Sequence, residues 1–326
     1  MNPAAGVGAA PLVIIGEFMD PAGRQHLSSA AEVRYLPQLG EDRAGLLDAV
    51  AGAQAIIVRN RCQVDAALLA AAGPDLRVVG RLGVGLDNID LTACRAAGVR
   101  VVFARGANSA AVCEFVFAGL LHLLRRLSEA DTAVRGGAWP REAYAGEELG
   151  GRTLGILGLG EVGRRLVAPA VAFGMSVLGY DPLLPPDAPS LRDLPLTRVG
   201  LERALEDSDV LTLHLPLTPE TTGMIGERAL RRMRRGAILV HTARGGVVDE
   251  AALAAALAGG RLRGAILDVR VEEPPRQPDP LAAFSGVLLT PHVAGLTAEA
   301  QARVGQVVAK DVLTVLSGHE PVAAAV

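Results

Sequence analysis

Short apolar runs alternate with amphipathic stretches along the whole chain, and this alternation predicts repeated strand–helix units. Five runs in the first third predict strands: PLVIIG, VRYLP, AIIVR, LRVVGRLG and RVVFA. Stretches such as DRAGLLDAVAG and VDAALLAAAG lie between them and end in glycine, which predicts helices that stop there. A longer helical pattern begins at Asn108 and Ser109, both favourable N-cap residues, and is predicted to continue to about Arg135.

A second series of strands is predicted from RTLGILGLG onward, followed by MSVLGYD, DVLTLHLP, AILVHTA, GAILDV and VLLTPH. These runs are nearly continuous in apolar residues, which is typical of parallel strands covered on both faces. A final helix is predicted from Thr297 to Ser317. The pattern therefore predicts an α/β protein with parallel sheets.

Composition narrows the class of protein. A length of 326 residues favours two domains, and a net charge of −3 argues against a nucleic-acid surface. Three scattered cysteines, Cys62, Cys94 and Cys113, favour neither a disulfide framework nor a zinc site, and no metal is expected. The N-terminus lacks the features of a signal peptide, and the most apolar segment, 115–124, is too short to cross a membrane. We therefore expect a soluble, cytoplasmic protein.

The segment LGILGLGEVGRRL places Gly158, Gly160 and Gly163 in the GxGxxG spacing of dinucleotide-binding folds. That spacing alone is a weak signal in a chain with 38 glycines, but here it follows an apolar strand and opens a predicted helix. Gly158 would permit a tight turn, Gly160 would let the backbone approach a pyrophosphate, and Gly163 would let the helix pack on the strand. The helix N-terminus would supply N–H donors for the anion.

Asp181 ends the next predicted strand, 18 residues beyond Gly163. An acid at this place accepts a hydrogen bond from the adenosine ribose 2′-hydroxyl and repels a 2′-phosphate. The plainer alternative is a solvated aspartate that opens a proline-rich loop. We predict NAD as the cofactor.

Five further segments occur in a characteristic order: GRLGVGLDNIDL, SDVLTLHLPLTPETTGMI, ARGGVVDE, LDVRVEEPP and TPHVAGLT. Together with the glycine motif they resemble the D-isomer-specific 2-hydroxyacid dehydrogenases, the family that includes D-3-phosphoglycerate, hydroxypyruvate-reducing and sulfolactate enzymes. The resemblance implies two Rossmann-like, doubly wound parallel-sheet domains. A cofactor domain, 106–295, would be inserted into a flavodoxin-like substrate domain formed by 1–105 and 296–326. It also implies a homodimer paired through the cofactor domain, and the length leaves no room for the C-terminal regulatory domain of some relatives.

The resemblance assigns catalytic roles to Arg244, Glu273 and His292. An arginine can hold the carboxylate of a 2-oxo acid with two parallel hydrogen bonds and polarise its carbonyl. His292 would exchange a proton with the substrate oxygen, and Glu273 would fix its tautomer and favour the imidazolium. The two glycines after Arg244 are expected to keep side chains away where the backbone lies against the cofactor.

The resemblance also implies a wider set of contacts. Substrate carboxylate would meet the backbone at Val84 and Gly85, and Asp268 would lie near the carboxamide of the cofactor. The remaining residues expected at the cofactor, besides Arg244, His292 and the glycine motif, are Glu161, Val162, Leu215, Pro216, Thr242, Ala243 and Gly295.

Three positions depart from the family pattern. Phe103–Arg105 replaces Asn-x-Pro at the crossing between domains, and His241 replaces a common asparagine. Arg270 stands where phenylalanine is frequent. We expect Arg270 to be exposed rather than to be an additional anion contact.

The substrate tail would be read by the first domain, where Arg59, Arg61 and Arg81 lie in or just after two predicted strands. Arg59 and Arg81 fall where phosphoglycerate dehydrogenases place basic residues, and the segments GEFMD and IVRNR resemble the sulfolactate dehydrogenase branch. These arginines predict a three-carbon acid with a phosphate or sulfonate end. Surface arginines at strand ends remain the alternative.

Two other functions are compatible with the family. One is an NADPH-linked glyoxylate/hydroxypyruvate reductase, which usually carries arginine where this chain has Asp181 and Pro182. The other is an NAD-sensing corepressor that binds partner peptides, although such proteins have additional segments that this chain lacks. We predict an enzyme that acts on a small-molecule acid and uses NAD as its cofactor.

Overall fold

A computed structural model describes residues 10–185 and 187–326 of the chain. The chain divides into two compact units: the first contains the residues up to Asn108 together with Thr297–Val326, and the second contains Ser109–Leu296. Residues 1–9, which belong to the segment where no signal peptide is predicted, lie outside the described ranges.

The first unit is one parallel sheet with helices on both faces. Its strands lie in the order β2-β1-β3-β4-β5, the order of flavodoxin-like folds. The strands are β1 (Leu12–Ile15), β2 (Glu32–Tyr35), β3 (Ala55–Val58), β4 (Val78–Arg81) and β5 (Arg100–Phe103). The helices are α1 (Pro21–Ser28), α2 (Arg43–Ala49), α3 (Ala66–Ala72), α4 (Leu91–Ala96) and, from the end of the chain, α11 (Ala298–Leu316).

Alternate side chains of β1 enter different cores of this unit. Val13 belongs to the cluster that includes Val308 and Val312 of α11, whereas Ile14 belongs to the cluster with Leu46 of α2. Helices α1 and α11 cross closely, because a Cβ atom at Gly23 would lie 2.8 Å from the Gly305 backbone. The C-terminal helix thus completes one face of the first sheet.

The second unit is a larger parallel sheet in the order β12-β11-β10-β9-β6-β7-β8. Its strands are β6 (Thr153–Leu157), β7 (Ser176–Tyr180), β8 (Thr197–Arg198), β9 (Val210–Leu213), β10 (Ala237–His241), β11 (Leu262–Leu267) and β12 (Val287–Leu289). Its helices are α5 (Ser109–Arg125), α6 (Leu127–Arg135), α7 (Glu161–Ala172), α8 (Leu201–Asp207), α9 (Glu227–Arg232) and α10 (Glu250–Ala258).

The strand order of the second unit reverses at β6, which pairs with β7 on one side and β9 on the other. Crevices at such a reversal, beyond the carboxyl ends of the strands, are where doubly wound sheets bind ligands. The predicted fold class is confirmed in both units. Each predicted strand is present, and the prediction missed β8, whose two residues are too short to leave a pattern.

The predicted helix from Asn108 to about Arg135 is wrong in one respect, because it is two helices separated at Arg126. Arg126 adopts the left-handed conformation with φ of 51°. Its guanidinium contacts Glu129 and donates to the Ala143 carbonyl at 3.0 Å, which holds the turn in place. Arginine is a good helix former, so the apolar pattern does not reveal this break.

Among the described residues, no helix combines the length and hydropathy that a membrane span requires.

Candidate active site

The glycine motif forms a tight turn between β6 and α7. Gly158 has φ of 94°, and a Cβ atom there would lie 2.5 Å from the His214 carbonyl oxygen. A Cβ atom at Gly163 would lie 2.0 Å from the Gly158 carbonyl oxygen, so the helix can approach the strand only with glycine. At Gly160, the N-cap of α7, a Cβ atom would meet no described atom within 4 Å. The backbone is therefore open where a pyrophosphate must approach.

The first turn of α7 supplies the N–H donors for that anion. Glu161, Val162 and Gly163 lie in this turn. The Glu161 carboxylate forms an ion pair with Arg164, with 2.6 Å between Oε1 and Nη2. Because this pairing balances the charge of Glu161, the side chain does not oppose an anion at the helix end as a lone carboxylate would.

Asp181 follows β7 directly, beside the glycine turn. Its Oδ2 accepts a hydrogen bond from the Leu159 N–H at 2.9 Å, and its Oδ1 accepts one from Leu183 at 3.0 Å. The carboxylate is thus fixed next to the turn, as a ribose-binding acid requires. Together, the turn and the acid fit a dinucleotide.

Arg198 of β8 is a residue near Asp181 that the sequence prediction missed. Its guanidinium donates to the carbonyl oxygens of Asp181 at 3.1 Å and Leu184 at 2.8 Å, and it contacts that of Pro185. No motif marks it, because β8 is too short to be predicted.

The ends of β9 and β10 carry the next predicted cofactor residues. Leu215 and Ala243 are buried, and Leu215 lies against the Gly158 turn. The buried Thr242 Oγ1 has no hydrogen-bond partner among the described residues. Pro216 follows Leu215 in the same segment and its carbonyl accepts from Thr221 Oγ1 at 2.6 Å.

Two histidines at these strand ends, the buried His241 and the half-buried His214, are neutral. Burial lowers the pKa of His214 to about 3, with a smaller effect from His241. Burial also lowers the pKa of His241 to about 4, against opposing effects of nearby backbone groups and carboxylates. His214 Nε2 lies 2.9 Å from Thr212 Oγ1. Neither imidazole carries a charge at neutral pH.

Arg244 follows β10 and precedes a 3₁₀ turn at Gly245–Val247. Its Nη1 donates to the Ala243 carbonyl oxygen at 2.7 Å, which orients the guanidinium. A Cβ atom at Gly245 would lie 1.9 Å from the Arg270 carbonyl oxygen. The glycine after Arg244 is therefore required for packing within the chain, a reason that the sequence prediction did not include.

Glu273 and His292 meet at the same edge of the sheet. Glu273 Oε2 lies 2.8 Å from His292 Nδ1, and Glu273 Oε1 accepts from the Arg270 N–H at 3.0 Å. His292 has φ of 56°, a backbone conformation that non-glycine residues seldom adopt away from functional sites. The His292 side chain remains 45% exposed, so its other nitrogen is accessible.

Asp268 directly follows β11 and is buried. Its carboxylate accepts hydrogen bonds from Thr290 Oγ1 at 2.7 Å, from the Val293 N–H at 2.8 Å and from the Ala294 N–H at 2.8 Å. These contacts lie on both sides of His292 and hold its loop, which ends at Gly295. Asp268 thus has a supporting role that sequence spacing alone did not suggest.

The expectation that Arg270 is exposed is wrong. Its side chain is 9% exposed and is paired with Glu250 and Asp279. An arginine in place of phenylalanine can be buried here because two carboxylates balance its charge.

The predicted tail residues lie at the carboxyl end of the first sheet. Arg59 follows β3, and its Nη1 donates to the Gln301 Oε1 at 3.1 Å. Arg81 ends β4, is buried, and donates to Asn60 Oδ1 at 2.7 Å and to the Leu82 carbonyl at 2.9 Å. Val84 and Gly85 lie in the loop that follows.

Arg61 differs from these two arginines. It forms an ion pair with Glu41, and the two side chains are 65% and 75% exposed. Burial lowers the pKa of the Arg59 guanidinium, an effect that the nearby Glu17 carboxylate partly opposes. Of the three arginines, Arg61 is exposed, whereas Arg59 is half-buried and Arg81 is buried.

The Glu17 carboxylate shapes the loop that carries Arg59. It accepts N–H hydrogen bonds from Arg59 at 2.6 Å, Asn60 at 3.0 Å, Arg61 at 2.9 Å and Cys62 at 3.1 Å. Burial alone would raise the Glu17 pKa, but these four donors lower it below its usual range. Glu17 therefore remains charged while its oxygens are used by the main chain.

A Rossmann-type sheet with this glycine turn and acid defines a dinucleotide-binding domain. The chain belongs to the D-isomer-specific 2-hydroxyacid dehydrogenase family: residues 117–294 match the family model described as "D-isomer specific 2-hydroxyacid dehydrogenase, NAD binding domain". The predicted family is confirmed, and so is NAD as its cofactor.

Individual relatives agree with this assignment. The chain is 43% identical to (S)-sulfolactate dehydrogenase of Chromohalobacter salexigens over 92% of this chain and 96% of that protein. It is 42% identical to D-3-phosphoglycerate dehydrogenase of Mycobacterium bovis over 95% of this chain, but spans only 57% of that protein. A crystal structure of a Thermus thermophilus protein superposes with a TM-score of 0.88 at 35% identity, covering 97% of this chain and 100% of that one.

Proposed function

We propose that the chain interconverts a three-carbon D-2-hydroxy acid and its 2-oxo acid, with a phosphate or sulfonate at the far end of the substrate. The observation that carries the catalytic part is the 2.8 Å contact between His292 Nδ1 and Glu273 Oε2. The names of the sulfolactate and phosphoglycerate dehydrogenase relatives support the anionic tail.

His292 is the proposed acid and base. With Nδ1 held by Glu273, Nε2 is the nitrogen that exchanges a proton with the substrate oxygen. In the reduction, His292 starts protonated and donates; in the oxidation, it starts neutral and accepts. The Glu273 carboxylate balances the positive charge of His292 whenever the imidazole is protonated. When bound, NADH supplies the hydride for reduction and NAD accepts it in oxidation.

Arg244 is the proposed carboxylate ligand. Its guanidinium is planar and permanently charged, so it can bind a carboxylate with two parallel hydrogen bonds and polarise the adjacent carbonyl. The backbone at Val84 and Gly85 is also proposed to bind a substrate carboxylate. Asp268 is proposed to support the His292 loop in addition to its place near the cofactor carboxamide.

Asp181 is proposed to select NAD over NADP. Its carboxylate is fixed beside the glycine turn, where it would face a 2′-phosphate. A like-charge contact of this kind costs several kcal/mol, and each 1.4 kcal/mol is about tenfold, so kcat/KM with NADH should exceed that with NADPH by about a hundredfold or more. Asp181→Ala should bring the kcat/KM values with NADH and NADPH closer together.

An NADPH-linked glyoxylate/hydroxypyruvate reductase is the second candidate, because the cationic Arg198 contacts the Asp181 carbonyl. The Arg198 N–H groups donate to three carbonyl oxygens and not to the Asp181 carboxylate, which supports the proposal that this carboxylate would face the ribose. A preference of the unmodified enzyme for NADPH would favour this candidate and would overturn the role of Asp181.

The experiment that tests the proposed function is a substrate panel followed at the NADH absorbance band. We expect turnover of 3-phosphohydroxypyruvate or 3-sulfopyruvate at a higher kcat/KM than hydroxypyruvate or glyoxylate. Turnover of none of these acids, with NADH still bound, would instead indicate a binding protein such as an NAD-sensing corepressor.

We further propose a homodimer paired through the cofactor unit. Helix α6 has no buried residue, and large apolar side chains on and after it are exposed: Leu127 52%, Val134 48% and Trp139 75%. A second copy of the chain would bury them. Val134→Glu together with Trp139→Glu should halve the mass measured by sedimentation equilibrium, whereas Val171→Glu, on the exposed face of α7, should leave it unchanged. A monomeric unmodified protein would contradict this proposal.

A further inference from the structure

The Arg270 side chain in the second unit is 9% exposed, and each of its three guanidinium nitrogens donates a hydrogen bond. Nε and Nη2 donate to the two Glu250 oxygens at 3.1 and 2.8 Å. Nη2 also donates to Asp279 Oδ1 at 3.1 Å, and Nη1 donates to Asp279 Oδ2. Glu250 is the first residue of α10, and Asp279 lies nine residues beyond Arg270 on the same loop.

The main chain around Arg270 is held as firmly as its side chain. The Val271 N–H donates to Glu250 Oε1 at 2.8 Å, and Gly245 packs against the Arg270 carbonyl. The Arg270 N–H donates to Glu273 Oε1 at 3.0 Å. The loop is therefore fixed at Arg270 and again at Asp279, and Glu273 lies between these two points.

We propose that Arg270 is a positioning residue that holds Glu273 against His292 through its ion pairs with Glu250 and Asp279. This inference rests on the proposed function, in which Glu273 is the partner of the catalytic histidine. Arg270 acts through the loop and touches neither the imidazole nor the substrate.

The ion pairs persist across the working pH range. The hydrogen bond to Glu250 and then that to Asp279 raise the pKa of Arg270. The Arg270 hydrogen bond lowers the pKa of Asp279. Burial would raise the pKa of Glu250, but its bonds to Arg270 and Val271 lower it below the usual value. Titration of this network therefore does not account for a pH effect near neutrality.

The other ionisable groups near the Glu273–His292 pair are few. Asp268 lies under the His292 loop and His241, held neutral by burial, lies near Glu250 and Glu273. Glu272 and Arg276 pair with each other at 2.7 Å on the exposed side of the loop. Removing the Arg270 charge leaves Glu250 and Asp279 without their cation, which alone would move the pH–rate profile to higher pH, so a movement to lower pH reports on Glu273.

The test is the pH dependence of reduction in Arg270→Met, which keeps the apolar stem and removes the guanidinium. A Glu273 that is no longer held against His292 stabilises the imidazolium less, so the alkaline limb of the pH–rate profile should move to lower pH. Glu273→Gln, which removes the negative charge itself, should move the limb in the same direction. The alkaline limb of the double variant, Arg270→Met with Glu273→Gln, should move no further than that of Glu273→Gln alone. NADH binding, measured by fluorescence titration, should be unchanged.

A matched control is Arg232→Met, which removes an arginine of the same unit that pairs with Glu202 and Glu206. Its pH–rate profile should equal that of the unmodified enzyme. If Arg270→Met does not fold, Arg270→Gln, which removes the charge but keeps hydrogen-bonding groups, should move the limb in the same direction by less.

The result that overturns the proposal is a folded Arg270→Met or Arg270→Gln variant whose alkaline limb does not move to lower pH; Arg270 would then be structural only. The pH midpoint of the His292 Cε1 proton shift gives the same comparison without turnover, and the chain has only six histidines to assign. If the unmodified enzyme turned over no acid of the panel, the proposed function would fail, while the proton-shift comparison would still test the position of Glu273.

Discussion

Two arginines that follow parallel strands, Arg59 after β3 and Arg270 after β11, have opposite surroundings. Arg270 is enclosed by two carboxylates. Arg59 donates to the neutral amide of Gln301 and lies 5.9 Å from the Phe18 ring centroid, and within residues 10–185 and 187–326 it forms no ion pair. The nearby Glu17 uses its oxygens on the main chain.

This comparison separates an arginine that supports the fold from one suited to a ligand. A buried charge is stable when acids of the same chain balance it, and such a residue is costly to remove. A partly buried charge that has no ion pair gains most from an anion that arrives from outside. The sequence places both arginines at strand ends, so only the neighbouring charges distinguish them.

The largest expected effect is on activity, from the pair that Arg270 supports. His292→Gln should lower kcat by about 10²–10⁴-fold, because a positioned acid–base group contributes on that order. NADH binding should be retained, and His319→Gln, in the other unit, should leave kcat unchanged. A His292→Gln variant with near-normal kcat would show that another group transfers the proton.

The next effect is on stability, from the Arg270 side of the comparison. Asp279→Ala removes one partner of a pair whose side chains are 9% and 4% exposed. It should lower the free energy of unfolding by about 3–5 kcal/mol, measured by urea titration at pH 7.

Low pH should remove the difference in unfolding free energy between Asp279→Ala and the unmodified protein. The folded-state pKa of Asp279 is lowered, so its contribution is present above the unfolded value of about 4 and is lost as the pH falls through the folded pKa. The unfolding free energies of Asp279→Ala and the unmodified protein should therefore converge below about pH 4. A gap that persists in acid would mean that lost packing, not charge, causes the destabilisation.

A smaller effect, on specificity, is expected from Arg59. Arg59→Ala should lower the kcat/KM preference for 3-phosphohydroxypyruvate or 3-sulfopyruvate over hydroxypyruvate by about tenfold to hundredfold, because a charge-assisted contact contributes about 1.5–3 kcal/mol. Added salt should reduce the preference of the unmodified enzyme in the same direction. An unchanged ratio would place Arg59 with Arg270 as a structural residue.

The smallest effect is expected from Arg61, which serves as the control for Arg59. Its pair with Glu41 is exposed on both sides, and exposed pairs contribute about 0–1 kcal/mol. Arg61→Ala should leave both the substrate ratio and the urea midpoint nearly unchanged. A loss of preference equal to that of Arg59→Ala would mean that Arg61 leaves Glu41 to bind the substrate tail.

The sheets were predictable because apolar runs and glycine turns depend on local sequence. The glycine motif and Asp181 are close along the chain, and a single strand–turn–helix unit brings them together. The break at Arg126 was not predictable, because it depends on contacts with Glu129 and Ala143 rather than on helix propensity.

The partners of charged residues were equally hidden. The carboxylates that pair with Arg270 belong to residues 20 positions before it and nine positions after it. No sequence periodicity links these residues. In the same way, the packing of Gly245 on Arg270 depends on the neighbouring strands β10 and β11. Charge balance and close backbone contact belong to the tertiary fold.

The end of β11 has a mechanical consequence for the Glu273–His292 pair. Asp268 holds the loop of His292, and Arg270, two residues later, holds Glu273. Both halves of the pair are thus attached to one strand end. A small displacement of that strand would carry them in the same direction, so the distance between carboxylate and imidazole would change less than the position of either group.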